Sequence, residues 1–146
     1  AEDAACGDWG AKLAGCIVLH CAPNADAYRE GLEAVLGAFC RSDTDCPSAA
    51  DVAAILAPSV TCDSPGLDTI GHDAPFAGLC EGTLGVTPAE VEVACGHLAF
   101  CPGAEWLDGV PGCMGFLAIV DRAAQRVSCL AAATDCTAAY ACLEGL

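Results

Sequence analysis

The sequence predicts an all-α protein, a disulfide-stapled helical bundle of about six helices. Thirteen cysteines in 146 residues is the cysteine density of a disulfide-rich scaffold. Apolar residues recur with helical period in several segments, and β-branched residues never alternate with polar ones over the length of a strand. These observations together favour helices held by disulfides over a sheet.

Two periodic segments predict the first two helices. One face of the first segment carries Trp9, Leu13, Cys16, Ile17 and His20. The turn Ala22-Pro23-Asn24 follows, and one face of the second segment then carries Tyr28, Leu32, Val35, Leu36 and Phe39. His20 lies on the apolar face of the first segment, and His97 lies beside the apolar face of a later predicted helix. We therefore expect both histidines to be packing residues.

Capping signals predict where the next two helices begin. Ser48 and Asp51 have the spacing of a capping box, in which side chain and backbone bond each other reciprocally. Thr87 and Glu90 have the same spacing, and Pro88 occupies the first helical position.

The C-terminal segment predicts one long helix and one short helix. The long helix follows Gly112, and its inner face carries Cys113, Phe116, Leu117, Val120, Ala124, Val127 and Ala131. Thr134 or Asp135 then caps a last short helix that carries Tyr140.

The predicted organisation is two helical cysteine-rich units, residues 1–62 and 87–146, packed as one domain. Residues 63–86 between them are rich in Gly, Pro and Asp and are predicted to be a linker. Because Thr-Asp-Cys recurs at residues 44–46 and 134–136, we expect the two units to be related halves of six cysteines each.

The odd cysteine count leaves at least one thiol without an intramolecular partner. The proposed repeat matches twelve cysteines and leaves Cys80, at the end of the linker, as the unpaired or interchain residue. The twelve cysteines predicted to form disulfides are Cys6, Cys16, Cys21, Cys40, Cys46, Cys62, Cys95, Cys101, Cys113, Cys129, Cys136 and Cys142.

Charge and cysteine content limit the compartment and the partners. Twenty acidic residues oppose five basic ones, which gives a formal net charge of −15 and excludes nucleic acid as a partner. This acidic surface is able to attract divalent cations. We expect an extracellular protein, because disulfides persist in oxidising compartments. The sequence begins Ala1-Glu2-Asp3 without an apolar leader, so we expect a secreted chain whose signal peptide has been removed. Its longest uncharged stretch, residues 13–25, is too short to span a bilayer, so we expect no transmembrane segment.

The C-terminal segment carries a resemblance to a known group of proteins. Residues 128–136, Ser-Cys-Leu-Ala-Ala-Ala-Thr-Asp-Cys, and then Ala141-Cys142-Leu143, resemble short Cys- and Ala-rich modules in secreted proteins and lipoproteins of myxobacteria and related bacteria. The resemblance covers about fifteen residues. It implies export and disulfides, and it carries no activity or catalytic residue.

Apolar content predicts a structural or interaction role. The chain is 55% hydrophobic, a surplus that favours self-association, as in a subunit of an extracellular filament or surface assembly. We expect no enzyme, because neither G-x-S-x-G nor H-E-x-x-H occurs, and we expect no cofactor and no metal site. Two alternatives remain open: a module that binds a lipid-like ligand, as saposins do, and a cysteine-based metal store.

Overall fold

The computed structural model describes residues 3–42 and 47–144, and in this part of the chain it contains eight α-helices and no strand. The helices are α1 Asp3–His20, α2 Arg29–Ser42, α3 Ala49–Leu56, α4 Ala74–Glu81, α5 Pro88–Leu98, α6 Gly109–Ile119, α7 Ala123–Ala132 and α8 Cys136–Ala141. Short 3-10 turns lie at Asp26–Tyr28, Ile70–His72 and Glu105–Leu107. The all-α prediction is confirmed, with two more helices than expected.

The predicted caps at the starts of α3 and α5 are present. The Asp51 amide donates to Ser48 Oγ at 3.1 Å, and the Ser48 amide donates to the Asp51 carboxylate at 3.3 Å. Thr87 and Glu90 make the same pair of bonds, at 3.2 and 2.9 Å. These bonds satisfy amides that have no partner within the helix, so the local sequence fixes where each helix begins.

The prediction of a single long helix after Gly112 is wrong. The chain leaves helical geometry between α6 and α7, and Arg122 takes a left-handed conformation with φ of 54°. The Arg126 guanidinium donates to the Asp121 carbonyl at 2.9 Å, which satisfies a backbone group at the break. The apolar period continues across the break, so periodicity alone did not reveal it.

The predicted linker at residues 63–86 contains α4 and the 3-10 turn before it. Two signals mark α4: Pro75 lies in its first turn, and Gly82 ends it in the left-handed conformation, with φ of 72°. Phe76 and Leu79 of α4 are buried in the core. The segment is therefore part of the packed structure and not only a connection.

Six disulfides hold the described chain, and they correct the assignment of Cys80. The pairs are Cys6–Cys40, Cys16–Cys62, Cys21–Cys80, Cys95–Cys113, Cys101–Cys136 and Cys129–Cys142. The prediction that Cys80 is unpaired is wrong, because the Cys21 and Cys80 Cα atoms lie 4.6 Å apart, within disulfide range. Cys46, predicted to form a disulfide, lies outside the described residues.

The bridges fall into two sets that do not mix. Three join cysteines up to Cys80, three join cysteines from Cys95 onward, and none of these six spans residues 81–94. If the six cysteines of each set are numbered along the chain, the first set pairs the first cysteine with the fourth, the second with the fifth and the third with the sixth. The second set pairs first with third, second with fifth and fourth with sixth. The two connectivities differ, which gives the proposed repeat no support.

Glycines let the central helices approach closely. α2 packs against α1 on one side and against α6 on the other. A methyl group added at Gly31 of α2 would overlap Pro111 O and lie 2.5 Å from the Gly115 nitrogen of α6. One added at Gly10 of α1 would lie 2.8 Å from the Gly37 nitrogen of α2. Only glycine permits these backbone contacts, and they set the spacing of the three helices.

Candidate functional site

An apolar groove of about 660 Å³ lies among the helices of the described chain. α1, α2, α4, α6 and the turn at Glu105–Leu107 all contribute to its walls. Its apolar lining is Trp9, Leu13, Val35, Leu36, Ala38, Phe39, Ile70, Pro75, Phe76, Trp106, Phe116, Ile119 and Val120. Both tryptophans and three of the four phenylalanines of the sequence line it, although the whole chain is only 5% aromatic.

The groove joins buried side chains at its base to exposed ones at its mouth. Trp9 of α1 and Phe76 of α4 are buried. Phe39 of α2 is 52% exposed and Trp106 is 50% exposed. The Trp106 ring meets Phe116 edge to face, with centroids 5.1 Å apart, which is a favoured aromatic geometry. The mouth therefore presents large apolar side chains to solvent in defined positions.

Helix spacing and disulfides hold the walls. The Gly10 and Gly31 crossings position α1 and α6 on either side of α2. The Cys21–Cys80 bridge ties the end of α4 to the residue after α1. Since α4 forms one wall, this bridge fixes part of the groove directly.

Two polar side chains line the groove. Asp73 precedes α4 and makes no side-chain hydrogen bond to cap it. Ser42, at the end of α2, donates through Oγ to the Phe39 carbonyl at 3.1 Å. No Lys or Arg is among the described residues that line the groove. The site therefore offers apolar contact and one carboxylate, and none of its described lining residues is a basic side chain that could pair with an anion.

An acidic cleft of about 610 Å³ adjoins the groove. Four carboxylate residues line this cleft: Glu30, Glu33, Glu105 and Asp108. Arg41 is the one basic residue among its described lining. Ala38 and Trp106 line both the cleft and the groove, so the two cavities meet at these residues.

The histidines lie away from the groove and are not packing residues. His20 and His97 are exposed, contrary to the prediction. A ring nitrogen of each lies 2.8 Å from a backbone carbonyl, of Cys62 for His20 and of Ala133 for His97. These hydrogen bonds tie helix ends to neighbouring segments, which explains the two residues without a catalytic role.

The described side chains give no basis for a metal store. Within residues 3–42 and 47–144, no group of three or more His, Cys, Asp or Glu side chains is placed to hold a metal ion. Twelve of the thirteen cysteines form disulfides. Because thiolates and not disulfides bind soft metals, these twelve bridged cysteines supply no ligands for a cysteine-based store.

Two titratable groups outside the groove have shifted pKa values. Burial raises the pKa of Tyr28, whose hydroxyl has no hydrogen-bond partner among the described residues. The Arg126 guanidinium, which donates to the Asp121 carboxylate at 3.1 Å, holds the pKa of Asp121 below its usual 3.8. Neither residue lines the groove or the cleft, so neither shift bears on the candidate site.

Sequence reasoning missed the groove although it named several of its residues. Trp9, Phe39 and Phe116 were placed on inner faces of helices, where periodicity does put them. Periodicity does not separate a side chain that fills the core from one that borders an open groove. The sequence did carry one signal for the groove. Aromatic residues are scarce in this chain, and Trp106 lies in a segment without a clear helical period.

Comparisons of this chain with protein families, with curated proteins and with solved structures find no match. None of the helices in residues 3–42 and 47–144 has both the length and the apolar character needed to cross a bilayer.

Proposed function

We propose that this protein is a secreted module that binds one small lipid-like molecule in the apolar groove. The observation that carries the proposal is the groove's lining: both tryptophans and three phenylalanines of an aromatic-poor chain surround a cavity of about 660 Å³. Ligand pockets in proteins have volumes of roughly 300–1,000 Å³ and are mostly apolar with a few polar groups. The groove has this size and this composition.

Burial of the exposed aromatic surface supplies the binding free energy. Phe39 and Trp106 are each about half exposed in the free protein. Removing apolar surface from water is worth roughly 25 cal/mol per Å², so an alkyl chain that covers these rings gains affinity from both partners. The groove is also formed in advance by helix crossings and a disulfide, which lowers the cost of ordering on binding.

The disulfides support the extracellular part of the proposal. Six bridges in 146 residues persist in an oxidising compartment and are rare in the cytosol. An extracellular module that binds a poorly soluble molecule would keep that molecule dispersed in water.

The filament or surface-assembly role remains a prediction. Val93 of α5 and Phe100, which follows the end of α5, are 58% and 78% exposed and offer apolar surface outside the groove. Light scattering of the native protein and of Phe100→Ser tests this role. A native oligomer that Phe100→Ser dissociates would support assembly through the surface that contains Phe100, and a native monomer would contradict assembly.

Titration with 1-decanol tests the ligand-binding function. Because both tryptophans line the groove, their fluorescence reports its occupancy directly. We expect saturable binding with one site per chain, confirmed by calorimetry. Absence of a saturable signal for 1-decanol would contradict the proposal.

Two exposed phenylalanines provide a matched pair of variants. Phe39→Ser removes a ring from the mouth of the groove, and we expect about tenfold weaker binding, since a buried aromatic side chain is worth roughly 1.5–3 kcal/mol. Phe100→Ser removes an exposed ring that follows α5 and lies outside the groove, and it should leave the affinity unchanged. Equal losses in both variants would place the binding site elsewhere.

A further inference from the structure

We infer that the preferred ligand is a cationic amphiphile, with its apolar chain in the groove and its amine or quaternary ammonium head in the adjoining acidic cleft. This inference rests on the proposed function and adds the chemical class of the ligand. Its basis is the junction between the cavities, where Trp106 and Ala38 line both the apolar groove and the acidic cleft.

Continuity of the two cavities matches the shape of an amphiphile. The groove is lined almost wholly by apolar side chains, and the cleft is lined by Glu30, Glu33, Glu105 and Asp108. A molecule with one apolar end and one charged end places each end in a matching environment only if the two environments meet. They meet at the half-exposed indole of Trp106.

Charge decides between a cationic and an anionic head. Four carboxylates and one guanidinium, that of Arg41, line the cleft, and the groove adds Asp73. A carboxylate or sulfate head would meet like charge at either cavity, in a chain whose formal net charge is −15. A cationic head would be attracted by the carboxylates, and this attraction weakens as salt screens it.

The indole at the junction adds a contact that only a cation gains. Tryptophan is the strongest aromatic partner for an ammonium group placed over its ring, and quaternary ammonium ligands are recognised by aromatic side chains in this way. Trp106 is held in place by its edge-to-face contact with Phe116, 5.1 Å between centroids. Charge and ring therefore favour the same head group.

Three ligands of equal chain length test the inference: decyltrimethylammonium, 1-decanol and decanoate, each below its micellar concentration. We expect decyltrimethylammonium to bind about tenfold more tightly than 1-decanol at low salt, and decanoate to bind more weakly than the alcohol. Raising the salt should reduce the cation's advantage and leave 1-decanol unaffected. Equal binding of the cation and the alcohol would overturn the inference while the proposed function stands. Absence of binding by all three would overturn both.

A charge-matched pair of variants shows whether the cleft is responsible. Glu30→Gln/Glu33→Gln/Glu105→Gln neutralises three carboxylates of the cleft and should remove most of the preference for the cation, with 1-decanol affinity unchanged. The control Asp63→Asn/Glu81→Gln/Glu144→Gln changes the net charge equally at exposed positions outside both cavities and should keep the preference. An equal effect of the two variants would mean that the overall charge, and not the cleft, selects the cation, and would overturn the inference. Circular dichroism of each variant confirms that it is folded.

Discussion

The region containing α1–α4 and the region containing α5–α8 are both cross-linked by three disulfides, but over very different spans. In the first region the bridged cysteines are 34, 46 and 59 residues apart, and in the second they are 18, 35 and 13 residues apart. Because the entropy removed from the unfolded chain grows with the length of the closed loop, the first region gains more from its bridges. Equal numbers of disulfides therefore do not mean that the stability of the two regions depends equally on their bridges.

The two regions meet through backbone contact and not through a described bridge. Gly31 of α2 packs directly against Gly115 of α6, whereas no disulfide of the six spans residues 81–94. The close contact between α2 and α6 therefore depends on two small residues.

Removing one bridge from each region should separate their contributions. Loop-closure entropy predicts a loss of about 4 kcal/mol for Cys21→Ala/Cys80→Ala and about 3 kcal/mol for Cys129→Ala/Cys142→Ala. Urea denaturation of both variants measures the difference. The first variant should also weaken binding of 1-decanol, because that bridge holds α4 at the groove. A larger loss for the second variant would contradict the comparison.

Gly31→Ala should damage the joint between the regions. The added methyl group would overlap Pro111 O, so α2 and α6 must move apart, and overpacking of this kind costs about 1–3 kcal/mol. Gly96→Ala in α5 is the matched control, since nothing lies within 4 Å of its added methyl group. We expect the control to stabilise the protein by about 0.5–1 kcal/mol. Thermal melts in which both variants shift in the same direction would count against the glycine crossing.

Arg126→Met should destabilise the second region by about 2 kcal/mol. The Arg126 side chain is buried and donates to the carbonyls of Asp121, Cys142 and Glu144, which would lose these hydrogen bonds. Arg122→Met is the control, because Arg122 is exposed and bonds only the neighbouring carboxylate of Asp121 among the contacts described. We expect about 0.5 kcal/mol for it, the usual worth of a surface ion pair. Similar losses in the two variants would refute the role of Arg126.

Asp121 should make the stability of the second region depend slightly on pH in the acidic range. Its pKa is lowered in the folded state, mainly by the hydrogen bond from Arg126, so the ionised form is favoured by folding. This contribution is present above the unfolded pKa and is lost as the pH falls through the folded pKa. Asp121→Asn should therefore be less stable than the native protein at pH 7, with the difference shrinking towards pH 3. If the difference in urea midpoint between the two proteins were the same at pH 7 and pH 3, the predicted direction of the pH dependence would be wrong.

Local signals in the sequence predicted helix starts better than helix ends and breaks. Ser48 and Thr87 cap helices as expected, because a capping box needs only residues three apart. The break before α7 depends on Arg126, whose hydrogen bonds reach carbonyls 16 and 18 residues further along the chain. No local pattern contains that information.

The groove was beyond sequence reasoning for a similar reason. Its walls come from four helices and two turns that are distant along the chain, and Trp106 meets Phe116 only once α6 is in place. The pairing of Cys80 was missed because connectivity depends on which helix ends come together. The sequence count nevertheless predicted that most cysteines would be bridged.

The pattern of bridges also determines how the protein responds to proteolysis. Each of the five basic residues, Lys12, Arg29, Arg41, Arg122 and Arg126, lies inside a loop closed by at least one disulfide. The Cys16–Cys62 bridge encloses Arg41. Trypsin could therefore cut the chain after any of them without releasing a fragment until a reductant is added. Residues 81–94 contain no basic residue, so trypsin cannot cut there. They include Glu81 and Glu90, after which a glutamate-specific protease could cut. A nick there would leave two internally cross-linked pieces joined only by non-covalent contacts.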